Sequence, residues 1–329
     1  MKSVRCISSH RCALPHLAIV MPCYNEEEIL PHTLANVAIF FAKCVQDGVI
    51  DPDSFVLCVD DGSRDTTWDL VIQAAKADPR VRGTKLSRNT GHQTALVAGL
   101  SAVRDCDVIV SIDADLQDDL LVIRDMLAAW RNGYDIVYGV RNERKTDTLF
   151  KRETARIFYR LMLLMGVNLV PNHADFRLMD RRALDALLEY GERNLFLRGL
   201  VPLIGFPSTS VYYARLERTA GESKYPLSRM IGLAVEGITS LSVTPLRIIA
   251  LTGILISSFA VLAICYALVG KGTGHTVPGW TSVTIAIFFM GGVQMLSLGI
   301  IGEYIGKIYL ETKRRPRYHV ENATWKNNR

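Results

Sequence analysis

The sequence predicts an α/β domain of the doubly wound kind, followed by a C-terminal pair of membrane-crossing helices. Three observations carry this. Short β-branched apolar runs alternate with stretches of helical periodicity from Leu17 to Asn132. Polar clusters rich in Asp fall where several of those runs end. Ile248 to Val269 and Ser282 to Gly302 hold no charged side chain, and each is long enough to cross a bilayer.

Taken in order, Leu17 to Met21, Phe55 to Val59, Thr84 to Leu86, Val108 to Ile112 and Ile136 to Tyr138 read as strands. Helices are expected near Leu30 to Lys43, Thr67 to Ala77, Gln93 to Ala102 and Leu120 to Asn132. Beyond the sheet, Leu149 to Met165 sets Phe150, Ile157, Phe158, Leu161 and Met165 along one helical side and Arg152, Arg156 and Arg160 along another. Those arginines read either as a solvated face or as cations for lipid phosphate. From Leu227 to Leu241 apolar residues recur at helical spacing, which suits a helix at the membrane interface, and Pro245 is expected to break it before the first span. Gly291, Gly292, Gly299, Gly302 and Gly306 would permit close helix approach, within the hairpin or between subunits. The resulting division is an extension over 1–16, a catalytic domain over 17–225, a juxtamembrane region over 226–247, the hairpin over 248–306 and a basic tail over 307–329.

Basic residues set the orientation. Arg229 and Arg247 precede the first span, Lys307, Lys313, Arg314, Arg315 and Arg317 follow the second, and the connecting loop holds only Lys271. Both termini are therefore expected on the cytoplasmic side of the plasma (inner) membrane. The formal charge of +5 is placed to meet anionic lipid, and no nucleic-acid motif accompanies it. The N-terminus lacks a long apolar run, so a cleaved signal is not expected. Seven cysteines, odd in number and without a C-x-x-C pair, read as free thiols in a reducing compartment.

The chemistry concentrates at Val110 to Asp119, where four aspartates crowd the end of an apolar run. Carboxylate oxygens suit Mg2+ or Mn2+, and Mg2+ takes few protein ligands when substrate phosphates supply the rest. A phosphorylated substrate follows from that preference. A lone Asp-x-Asp serves equally well as a helix cap, so the surrounding motifs have to decide.

Those motifs are Pro22-x-Tyr24-Asn25-Glu26, Asp60-Asp61-Gly62-Ser63, Asn89-x-Gly91-His92-Gln93, Asp113-Ala114-Asp115-Leu116-Gln117-Asp118 and Gly221-Glu222-Ser223-Lys224. Together they resemble the glycosyltransferases of the second sequence family, whose fold is GT-A. Within it the chain looks most like the polyprenyl-phosphate glycosyltransferases, a group spanning bactoprenol glucosyltransferases, undecaprenyl-phosphate aminoarabinose transferases and, more distantly, dolichyl-phosphate mannose synthases. The resemblance runs from about Leu17 to Tyr318 and includes Gly302-Glu303-Tyr304-Ile305-Gly306 and Arg315-Pro316-Arg317-Tyr318. Asp119 and Ala174 depart from it, standing where Pro and Gly are usual.

The resemblance implies an inverting, metal-dependent transfer of a sugar from a nucleotide donor to polyprenyl phosphate, with glucose from UDP-glucose the first expectation. Asp115 and Gln117 would hold the metal, and Asp113, next to Ala114, would hold the ribose or support the metal. Pro22, Tyr24, Glu26, Asp60 and Asp61 would hold base and ribose. Arg141 would grip the acceptor phosphate, helped by Lys151 or Arg152 with Thr154 and by Arg218, Ser223 and Lys224. Asp175 would act as a base, orient Arg177 or serve structure, while Asp118 and Asp119 read as helix-start acids. A homo-oligomer is also admitted by the resemblance. Two other functions remain open from sequence: a non-catalytic nucleotide-sugar binder or flippase scaffold, and a processive polysaccharide synthase, whose usual Gln-x-x-Arg-Trp motif is absent here.

Overall fold

The computed structural model describes residues 11, 13–115, 117–141, 160, 162–166, 173–214, 237–272 and 279–325. They fall into two compact units. One combines the segments before the apolar helices with the chain from Arg315 onward, and the other holds 160–166 and 237–314.

In the first unit the strands are β1 (Leu17–Cys23), β2 (Phe55–Asp60), β3 (Val81–Leu86), β4 (Val108–Ser111), β5 (Ile136–Arg141), β6 (His173–Asp180), β7 (Ser208–Tyr213) and β8 (Val320–Ala323). They form one sheet in the order β7-β5-β6-β4-β1-β2-β3-β8. The five strands expected from sequence are present, with the third starting earlier and the fifth continuing to Arg141. β1 to β4 pair in parallel, whereas β6 runs antiparallel between β4 and β5, and β8 antiparallel beside β3. The reversal of β6 matters for function: its first residues lie at the carboxyl ends of β4 and β5, while Asp180 pairs with Val108 at the opposite edge.

Helices α1 (Leu30–Gln46), α2 (Thr67–Ala77), α3 (His92–Ala102) and α4 (Val122–Arg131) match the four expected. Leu30, Leu34, Val37, Phe41 and Cys44 recur at helical spacing and bury the inner face of α1. Burying side chains of this kind contributes roughly 1.5–3 kcal/mol each. On α3, Gly99 lets the helix settle against β1 and β2, since a Cβ there would lie 2.4 Å from Val20 Cγ1 and 2.7 Å from Val59 Cγ2. That close seat carries the start of α3 to the carboxyl edge of the sheet. Two helices were not expected from sequence, α5 (Arg181–Glu189), capped by Asp180, and α6 (Leu197–Leu203).

Both segments set aside as flanks take part in this unit. Arg11 is buried, donating to Trp130 O at 2.8 Å and to Asp135 Oδ1 at 2.6 Å, and it also reaches Asp180 Oδ2 at 3.2 Å. The residues expected to be a basic tail include β8, where Gly83 N donates to Thr324 Oγ1 at 2.8 Å and Thr324 N to Gly83 O at 2.9 Å. Among the described residues, Cys23, Cys44, Cys58 and Cys106 are buried free thiols and Cys265 an exposed one.

The second unit holds α7 (Thr244–Gly272) and α8 (Trp280–Lys313). Thr244–Leu262 is long and apolar enough to cross a membrane, with mean hydropathy 1.9 and none of that stretch buried. Pro245 does not precede the span as expected but sits in the first turn of α7, where a missing N–H costs nothing. The break falls just before it, because residues 237–241 are helical and Ser242 and Val243 are not. Tyr304 Oη donates to Ser242 O at 2.6 Å and Lys307 Nζ to Ser240 Oγ at 2.8 Å, tying α8 to that break. Among the described residues, a Cβ on Gly291, Gly292, Gly299, Gly302 or Gly306 would meet nothing within 4 Å. Most of the expected helices over 149–165 and 227–241 lies outside the described residues.

Candidate active site

Three turns meet at the carboxyl ends of β1, β2 and β3. Asn25 adopts φ +53°, turning the chain after β1, and its side chain accepts from Arg64 N at 2.9 Å while its own N–H donates to Ser63 Oγ at 3.0 Å. Glu27 Oε2 accepts from Thr66 N and Oγ1, and Glu26 N donates to Thr67 Oγ1 at 2.9 Å. The first turn is thus laced to the second. The second meets the third at Gly62, whose φ of +69° and 2.6 Å approach of a built Cβ to the Arg88 carbonyl carbon admit only glycine.

Within this frame the expected nucleotide residues separate. Pro22 is buried at the end of β1, and Tyr24 beyond it is 40% exposed. Asp60 is buried with Oδ1 accepting from Ser63 N, while Oδ2 has no hydrogen-bond partner among the described residues. Burial raises its pKa. Asp61 is engaged by the next turn. Its Oδ1 accepts from Thr90 N at 2.7 Å and Thr90 Oγ1 at 2.9 Å, and its Oδ2 from Gly91 N at 2.8 Å. A carboxylate so engaged fastens the turn before α3.

The acid turn after β4 is anchored from below. Ile112 N donates to Val20 O at 3.1 Å and Thr33 Oγ1 to Ala114 O at 2.7 Å, which buries Ala114 and fixes the backbone between Asp113 and Asp115. Burial pushes the Asp113 carboxyl up to about 6; His92 opposes the shift, and the carboxylates of Asp175, Asp118 and Asp115 add to it. Asp115 Oδ1 accepts from Gln117 N at 3.2 Å. Gln117 is buried, yet neither its Oε1 nor its Nε2 has a hydrogen-bond partner among the described residues. Asp119 accepts from Leu121 N at 2.9 Å, the helix-start role expected of it.

Asp118 does something else. Its side chain is 3% exposed and accepts from Arg141 Nη2 at 3.1 Å and from the Tyr213 hydroxyl. Parallel pairing of β5 with β7 sets Arg141 opposite Tyr213, and Asp118 closes the triangle. Arg141, expected to meet an acceptor phosphate, is therefore already oriented by a buried acid. Burial disfavours its charge, but Asp118 outweighs this and raises its pKa.

Asp175 arrives from β6. It takes Arg177 Nη2 at 2.6 Å and Arg198 Nη2 at 3.3 Å, and His92 Nε2 lies 3.6 Å from it and 3.7 Å from Asp113. Burial pushes this carboxyl up, but His92, Arg177 and Arg198 together hold it far below the ordinary carboxylate range. A group so firmly ionised is a poor proton acceptor and a good orienter. Lys151, Arg152, Thr154, Arg218, Ser223 and Lys224 lie outside the described residues. His92 stood in a quoted motif without a role and Arg177 was named only as a residue Asp175 could orient, while nothing in the sequence singled out Tyr213 or Arg198.

The donor set suits a divalent ion in one specific way. Among the described residues no three His, Cys, Asp or Glu side chains gather around one point. Asp115 beside the unpartnered Gln117 amide fits an ion that keeps open positions for phosphate oxygens.

Comparison with known proteins gives the family. The glycosyl transferase family 2 profile matches residues 18–188, and the GtrB C-terminal hairpin profile matches 244–308. The chain is 50% identical over 308 residues to the uncharacterized glycosyltransferase YkoT of Bacillus subtilis (strain 168), covering 93% of this chain and 91% of that one. It is 37% identical to the bactoprenol glucosyl transferase of Shigella phage SfX, covering 93% and 99%. Among solved structures it is similar to glucosyl-3-phosphoglycerate synthase from Mycobacterium tuberculosis in complex with Mn2+, UDP-glucose and phosphoglyceric acid, at 21% identity, 69% and 78% coverage and a TM-score of 0.43.

Proposed function

Because the chain belongs to glycosyltransferase family 2, with a GT-A-like domain and a GtrB-type C-terminal hairpin, we propose that it transfers a sugar from a nucleotide donor to polyprenyl phosphate. The donor taken first is UDP-glucose, and the reaction takes place at the cytoplasmic face of the membrane that the hairpin crosses twice. One observation carries the reading: the acid turn with its unpartnered Gln117 shares a sheet edge with two arginine–carboxylate groups, at Arg141 and at Asp175.

Asp115 and Gln117 would hold Mg2+ or Mn2+, which would stabilise the charge that develops on the departing diphosphate. Asp113 supports the ribose side of the donor, and Pro22, Tyr24, Glu26 and Asp60 wall its base. Arg141 orients the acceptor phosphate, together with the basic residues of 151–154 and 218–224. A phosphate oxygen of the lipid attacks the anomeric carbon, the bond to the diphosphate oxygen breaks, and the electron pair leaves with the nucleotide. The nucleophile is already anionic, so no base is required, which matches an Asp175 held ionised by its neighbours. Attack opposite the leaving group inverts an α-linked donor to a β-linked lipid phosphate sugar.

The test is incubation of purified enzyme with radiolabelled nucleotide sugars, undecaprenyl phosphate and Mg2+ or Mn2+. Organic-extractable label is expected with a uridine donor and is lost in Asp115→Asn, which stays membrane-bound. Absence of extractable label with every donor would favour a binding or scaffold protein, and full activity of Asp115→Asn would remove the metal assignment.

A further inference from the structure

The segment that follows α8 has no part in the mechanism proposed above, although it carries the motif Arg315-Pro316-Arg317-Tyr318. From Arg315 on it belongs to the first unit. Its strand β8 adds nothing to the core, since Val320, Glu321, Asn322 and Ala323 are all exposed. Hydrogen bonds hold it instead. Thr84 pairs with Ala323 and Lys85 with Asn322, the register shifts, and Leu86 pairs with Val320. Thr324 fixes the far end, its hydroxyl accepting from Gly83 N at 2.8 Å and its N–H donating to Gly83 O at 2.9 Å. A strand that served only to cover the open side of β3 would need no contact beyond it.

This segment makes two. Ser87 N, one residue past β3, donates to His319 O at 3.0 Å, and Arg317 Nη2 donates to Tyr190 O at 2.8 Å. Tyr190 closes α5, whose last carbonyls have no helical partner, so the guanidinium caps that helix. Ser87 opens the loop to α3, in which Arg88 and Asn89 cross over Gly62 and Asp61 holds the Thr90 and Gly91 amides. Ser87, Arg88, Asn89 and Gly91 are exposed, so backbone hydrogen bonds shape this loop more than packing does. The loops after β3 and α5 then meet, Leu197 N donating to Gln93 Oε1 at 2.9 Å. The contacts of 317–319, 87–93 and 190–197 thereby close a ring. His92 sits on it, with Nε2 3.7 Å from Asp113 and 3.6 Å from Asp175.

We propose that residues 315–324 position the active site: Arg317 and Thr324 brace the loops 87–91 and 190–196 and through them set His92 against Asp113 and Asp175. This rests on the sugar transfer proposed above and adds a segment to it. Arg317 and Thr324 are positioning residues, acting through the histidine that the braced loop delivers. Loosening the ring shifts the partner of two carboxylates at the acid edge, and a displacement of that kind costs rate even when it starts far from the chemistry.

The test reads amide hydrogen exchange and label transfer on the purified full chain. Arg317→Ala and, as a milder second variant, Thr324→Val are expected to speed exchange across 87–93 by about threefold or more while the thermal midpoint shows each still folded. Transfer by Arg317→Ala falls by about tenfold, and Arg317→Lys, which can still donate to the Tyr190 carbonyl, recovers part of it. A double-mutant cycle with His92→Gln supplies the readout that a merely structural role would not move: Arg317→Ala costs little more once His92 is gone. Unchanged exchange across 87–93 in both folded variants overturns the bracing. Unchanged transfer, or losses that simply add to that of His92→Gln, overturns the positioning role. A wild type that transfers no sugar from any donor, with exchange still quickened in the variants, overturns the transferase reading beneath and leaves the bracing standing.

Discussion

The two halves of the carboxyl edge are built on different principles. On the side of β1, β2 and β3, side chains bind backbone: Asp61 takes the Thr90 and Gly91 amides, Asn25 the Arg64 amide, Glu27 the Thr66 amide. On the side of β5, β6 and β7, side chains bind side chains of opposite charge: Asp118 with Arg141, and Asp175 with Arg177 and Arg198. The first arrangement fixes the shape of turns and has little charge to spare. The second holds cations in place at a cost in desolvation that an anionic ligand helps to offset. On the proposed function, the donor wall is rigid backbone, whereas the acceptor phosphate meets aimed charge.

Removing Asp61 strikes the first half hardest. Asp61→Ala removes a buried carboxylate that accepts from two amides and a hydroxyl, and the expected loss is about 1–3 kcal/mol of stability, read by denaturant or thermal unfolding. A loss confined to UDP binding with unchanged stability would instead return Asp61 to the ribose. Tyr213→Phe strikes the second half more gently. It removes one donor to Asp118 and leaves the ion pair with Arg141, so about 1 kcal/mol of stability is expected to go. The KM for the lipid acceptor should rise with little change in that for the donor, and a change confined to the donor would blur the division.

The halves also differed in how readable they were. The donor turns announced themselves as Asp and Asn clusters at the ends of apolar runs, because strands buried on both faces leave few other places for such residues. β6 was hidden, since Asp175 and Arg177 interrupt its apolar run and are tolerated only because they pair with each other. β8 was hidden for another reason. Val320, Glu321, Asn322 and Ala323 show no alternation, and the strand they complete starts from the far side of the hairpin, Thr324 meeting Gly83 across 241 positions. Arg11 and Arg198 had no local signal at all, because the acids that hold them come from distant strands.

A pH series probes the smallest expected effect. The Asp175 carboxylate, 3.6 Å away, raises the His92 pKa; burial works against it and Asp113 adds to it. A raised histidine stabilises fully below its unfolded value near 6.5 and loses that contribution as pH climbs through the folded value. The thermal midpoint of wild type relative to His92→Gln should therefore shrink as pH rises above about 6.5, and a gap that is constant or grows would show that His92 is held neutral.

The division of the acid turn itself is the central claim: Asp115 serves the donor and Asp118, three positions on, serves the acceptor cation. Calorimetric titration of UDP in the presence of Mn2+ separates them most directly. Asp115→Asn is predicted to abolish Mn2+-dependent UDP binding, while Asp118→Asn keeps it within about twofold of wild type, a change of under about 0.5 kcal/mol. Retained binding in Asp115→Asn, or its loss in a folded Asp118→Asn, would contradict the account.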